Sequence, residues 1–95
     1  MRIVKITVEA PRNGARIASA RVVEAVQAAA APRDELVHVY AGPLPTGFGV
    51  VVFLLVPRDQ AAATACRLVL DAADALELSG WTLGTVRVWG PDVLS

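Results

Sequence analysis

Cysteine, lysine and histidine occur once each in the 95 residues, as Cys66, Lys5 and His38, and aromatic residues make up only 5%. A lone cysteine cannot close an internal disulfide, and with one histidine it cannot build a zinc site. A stapled secreted scaffold and a zinc module are therefore excluded. Nine basic residues balance nine acidic ones, which removes the general electrostatic attraction to nucleic acid or anionic lipid. The longest apolar run, residues 48–56, is nine residues, far short of the roughly 20 that cross a bilayer as a helix. Met1-Arg2-Ile3-Val4-Lys5 leads to no small-residue cleavage site and does not read as a signal peptide. No Gly-x-Gly-x-x-Gly or Walker-type loop is present. The expectation is a soluble cytoplasmic protein with no membrane, nucleic-acid, metal or cofactor role.

What is there is an apolar chain: 55% hydrophobic and 19% charged, the composition of one folded domain over residues 1–95. Every basic residue but Lys5 is arginine, and alanine and valine dominate the apolar set. That bias points to a GC-rich bacterial genome and weakens any single arginine as evidence of phosphate binding.

Residues 2–9 alternate, with Val4, Ile6 and Val8 on one side and Lys5, Thr7 and Glu9 on the other, the period-two pattern of a half-buried strand. Pro11-Arg12-Asn13-Gly14 ends it, and Asn13 can cap a helix. From 15 to about 30 a stripe of Ala18, Val22, Ala25, Val26 and Ala29 predicts that helix, which Pro32 stops. Residues 36–41 carry Val37, Val39 and Tyr40 and predict a second strand. Residues 42–47 read as a long hairpin loop to a third strand at 48–56, apolar on both faces and therefore central. Asp59 can cap a second helix reaching about Leu78, with Ala62, Cys66, Val69, Ala73 and Leu76 inward and Gly80 as its terminal glycine. Residues 82–89 predict the last strand.

This order resembles the ferredoxin-like split arrangement βαββαβ, an α+β two-layer sandwich. Right-handed crossovers put both helices on one face of a four-stranded antiparallel sheet, and the resemblance implies that strands one and three lie in the middle. Two layers leave the other face bare. The strand patterns assign to it Ile3, Lys5 and Thr7; Leu36, His38 and Tyr40; Val51, Phe53 and Leu55 (or Val50, Val52 and Leu54); and Leu83, Thr85, Arg87 and Trp89. An aliphatic stripe with a polar and aromatic rim predicts a docking surface, because a monomer rarely leaves such a patch in water. Two rival readings are that Val93 and Leu94 fold over it, or that the register is slipped by one residue and the stripe is core.

No residues converge on a catalytic set. His38 needs an orienting partner and a reacting neighbour, which Thr7, Glu9 or Arg87 could supply only if the fold brings them close. Cys66 on an inner helical stripe reads as a small hydrophobe. Arg67 with Asp71 and Arg21 with Glu24 are helical surface pairs. Arg12, Asn13, Gly14 and Arg16 form a weak anion-binding motif at a helix start, and equally the grammar of a turn. Acylphosphatases share the topology, but their glycine-rich loop is missing. RNA-binding domains of this topology use aromatics on strands one and three, where Phe53 alone could serve. Copper-chaperone relatives need paired cysteines.

The stretch from Ala10 through Pro11, Arg12, Asn13, Gly14, Ala15 and Arg16 to Ile17 resembles the strand-to-helix turn of ACT-type amino-acid-sensing domains. Ala10 stands where an acidic residue is usual before the proline, and both helices here are longer. The resemblance implies backbone amides freed by Gly14 for a small ligand.

Three functional expectations follow. The first is a non-enzymatic interaction or regulatory module that forms a homodimer or docks a protein partner through the bare face. The second is a small-molecule sensor at the Asn13-Gly14 turn or a dimer-interface pocket. The third is a small dimeric α/β-barrel enzyme using His38 in the sheet cavity.

Overall fold

The computed structural model describes residues 1–12 and 16–89. Their order is β1 (Arg2–Glu9), α1 (Ser19–Ala29), a 3-10 turn (Pro32–Asp34), β2 (Leu36–Leu44), β3 (Gly47–Leu54), α2 (Arg58–Ala75) and β4 (Thr82–Trp89). The strands form one sheet in the order β2-β3-β1-β4, with every neighbouring pair antiparallel. This is a ferredoxin-like α+β two-layer fold, with β1 and β3 in the centre as expected.

The core lies between the sheet and the helices. Val4, Ile6 and Val8 of β1, Val39 of β2, and Phe48, Val50, Val52 and Leu54 of β3 are buried. Val22 and Val26 of α1 and Ala61, Ala65, Leu68, Val69 and Ala72 of α2 cover them. Alanines facing the sheet let α2 approach closely, and the valines opposite fill the pleats. No helix among the described residues is long and apolar enough to cross a membrane.

Several local readings are corrected. The β2–β3 connection is a two-residue hairpin at Pro45-Thr46, because the ladder pairs as far as Leu44 with Gly47. Pro43 is tolerated inside β2 because this strand is at the sheet edge. The β2 register shifts between Leu36 and His38. The extra residue, Val37, is thrown outward and half exposed, while Leu36 packs on the core and leaves the open face. Likewise the β1–β4 ladder shifts between Ile6 and Val8, which turns Leu83 inward against the core.

Helix α1 begins at Ser19, since Ala18 is extended and Ile17 reaches the core from that segment. In α2 the buried stripe is Ala61, Ala65, Leu68, Val69 and Ala72, one residue away from the expected one, so Ala62, Cys66, Ala73 and Leu76 flank it. Its cap is Pro57, with Asp59 inside the first turn. Its end comes early because Glu77, at φ 57°, takes the left-handed conformation ahead of Gly80. Asn13, Gly14, Val93 and Leu94 lie outside the described residues.

Candidate interaction face

The face opposite the helices is a grid of four rows, read across β2, β3, β1 and β4. The first row is His38, Phe53, Ile3 and Trp89, and the second is Tyr40, Val51, Lys5 and Arg87. The third is Gly42, Gly49 and Thr7, opposed by the β4 bulge, and the fourth is Leu44, Gly47, Glu9 and Thr82. Side-chain alternation fixes this set once Val4, Ile6, Val50 and Val52 are committed to the core. The slipped-register reading is thereby settled for β3: Val51 and Phe53 belong to the outer set, partly buried. Leu55 follows the strand, 60% exposed, with its N–H donating to the Glu35 carbonyl at 3.0 Å.

The β2 and β3 half is aromatic. The His38 and Tyr40 rings meet edge-on at 4.3 Å between centroids, Tyr40 and Phe53 at 5.8 Å, and His38 and Phe53 at 6.2 Å. Edge-to-face packing suits the positive rim and negative face of each ring. Tyr40 is still 58% exposed. The β1 and β4 half carries both cations, Lys5 beside Arg87 with the Arg87 guanidinium 5.7 Å above the Trp89 ring, and the Glu9 carboxylate at its far end. Rows three and four are shallow. Leu44 leans over Gly49, and a β-carbon on Gly47 would overlap the Val8 carbonyl oxygen. At the β4 bulge, Thr85 N–H donates to the Thr7 hydroxyl at 2.7 Å, a closeness that glycine at position 84 permits.

This geometry gives His38 aromatic company, the rings of Tyr40 and Phe53. Its row crosses Ile3 on β1, whereas Glu9 is at the far end of that strand, about 20 Å away at some 3.3 Å per residue. Cys66 is half-buried on α2, and burial pushes its thiol up, away from the reactive thiolate. Among the described residues no three His, Cys, Asp or Glu side chains gather to hold a metal.

Arg12 and Arg16 are brought together, at the opposite end of the sheet from His38. With Ile17, Ser19, Pro43 and Trp81 they border a cavity of about 570 Å³ between the end of β1, the start of α1 and the β2–β3 hairpin. Trp81 stands against Phe48 at 5.5 Å, closing its apolar side.

One polar cluster is absent from the sequence reading. Asp34 is buried in the turn between α1 and β2, accepts the Ala31 N–H at 2.8 Å and pairs with Arg67 of α2. Arg67 also makes the expected bond to Asp71, at 3.3 Å. The Arg67 hydrogen bond, then that of Ala31, hold the Asp34 carboxyl below its ordinary range against the opposing effect of burial. Pro32 at the first position of a turn, with Asp34 completing it, was the available signal. No protein-family model matches the chain, and no curated protein matches it either.

Proposed function

We propose that this protein is a non-enzymatic interaction module that associates with a second copy of itself through the open sheet face. The observation carrying this reading is the cluster opposite both helices, in which Tyr40 and Trp89 are exposed and Ile3, Val51 and Phe53 are partly buried between them. Hiding a few hundred Å² of such surface at about 25 cal/mol per Å² is worth several kcal/mol before association costs. Two-fold homodimers are the commonest soluble assemblies. Size-exclusion chromatography with light scattering tests it. The wild type is expected to run as a dimer and Phe53→Asp as a folded monomer; a wild type that stays monomeric at high micromolar concentration overturns the reading.

The cavity beside Arg12 and Arg16 favours a second reading, a small-molecule sensor. Its size suits a compact ligand, with guanidiniums for an anionic group and Trp81 for an apolar body. A thermal-shift screen of amino acids and nucleotides checks it. A rise in melting temperature that Arg16→Ala removes supports it, and flat curves throughout count against it.

A further inference from the structure

Resting on that reading, we infer that the two copies meet about a two-fold axis running along the strands between β1 and β3, so that Arg87 of each protomer lies on Tyr40 of the other and Lys5 on Val51 beside it.

The grid is self-complementary. An isologous interface needs each surface element matched by a different element of the same surface. On this face three of the four rings lie on β2 and β3 (His38, Tyr40, Phe53), whereas both cations lie on β1 and β4 (Lys5, Arg87), together with the Trp89 ring on β4 and the Glu9 carboxylate at the far end of β1. Two sheets can face each other only about an axis lying in the interface plane. An axis along the strands reverses the column order and leaves each row on itself. Arg87 then faces the partner's Tyr40, Lys5 the partner's Val51, and Ile3 the partner's Phe53. An axis across the strands instead keeps each column on itself. It gathers four cations, two Lys5 and two Arg87, on one side of the interface with the two Trp89 rings, and leaves the six rings of His38, Tyr40 and Phe53 on the other.

Gathering like charges in a desolvated interface is costly, whereas a guanidinium on a tyrosine ring is attractive and grows stronger as water leaves. Either axis aligns the strand directions of the two sheets, as is usual in face-to-face packing, so the placement of the charges decides between them. Strands spaced about 4.8 Å and rising about 3.3 Å per residue make a face of roughly 500 Å². Two copies then bury roughly 1,000 Å², at the lower bound for a specific association.

Disulfide mapping in a Cys66→Ala background distinguishes the arrangements. A mixture of Arg87→Cys chains with Tyr40→Cys chains is expected to cross-link under mild oxidation at least about tenfold faster than Arg87→Cys chains alone. In addition, Lys5→Glu with Arg87→Glu should weaken self-association at least about tenfold, and this variant should pair with wild type no more tightly than wild type pairs with itself. If wild type is dimeric but Arg87→Cys cross-links to itself faster, or the charge-reversed chain prefers wild type, the arrangement is overturned while the interaction module stands. A monomeric wild type overturns both.

Discussion

Arg67 on α2 reaches across to Asp34 in the turn before β2 and forms an ion pair with the only charged side chain buried among the described residues. The pair ties the second helix to the α1–β2 connection, since Asp34 also accepts the Ala31 N–H. Asp34→Asn should cost about 1–3 kcal/mol at neutral pH, the range for a buried hydrogen-bonded group that loses a charged partner. The folded carboxyl is held below its ordinary value, so its contribution is complete above the unfolded value of about 3.9. It is lost as pH falls through the folded value. Urea melts from pH 7 down to pH 2 should therefore show a shallower acid loss in Asp34→Asn than in wild type. Superimposable acid profiles would remove this role.

Gly47 and Gly42 sit on the same open face but meet different surroundings. A β-carbon at Gly47 would overlap the Val8 carbonyl, a backbone atom that cannot turn aside, whereas nothing lies within 4 Å of one at Gly42. Gly47→Ala should destabilise by more than about 2 kcal/mol, and Gly42→Ala should stay within about 0.5 kcal/mol. Equal denaturant midpoints for the two variants would contradict the hairpin register.

Leu54 and Phe53 are adjacent on β3 and point to opposite layers. Leu54→Ala opens a hole in the core and should cost about 2–5 kcal/mol at any protein concentration. Phe53→Ser should cost the dilute protein less than Leu54→Ala, since its ring is only partly buried. It should also abolish the rise of melting temperature with concentration that an associating wild type displays. A large, concentration-independent loss in Phe53→Ser would mean that this ring belongs to the monomer core.

The strand order and the limits of β1 and β4 were legible because alternation over eight residues has one reading, Val4, Ile6 and Val8 against Lys5, Thr7 and Glu9. The apolar β3 identified its own central place. What misled was irregularity. A bulge at Val37 shifts the parity of β2, and nothing in Leu36-Val37-His38-Val39 marks it, since each residue is acceptable on either side. In α2 a run of alanines gives a blurred stripe, and the true inner face differs by one residue because small side chains barely weight the choice. Proline at position 43 argued for a loop, and only the edge position of β2 makes it part of a strand. The Asp34–Arg67 pair joins residues 33 positions apart, which local spacing cannot reveal. His38 and Tyr40 were placed together by period two alone, but their contact with Phe53 depended on the register.

Hydroxyl-radical footprinting of the wild type across a dilution series asks most directly whether this face is covered in solution. Tyr40 and Trp89 lie on the grid, whereas Trp81 stands at the cavity by the hairpin and serves as an internal reference. With increasing concentration, oxidation of Tyr40 and Trp89 should fall together while that of Trp81 holds constant. Unchanged reactivity of both residues over the whole range would mean that the face stays in water, and the account of a self-associating module would be wrong.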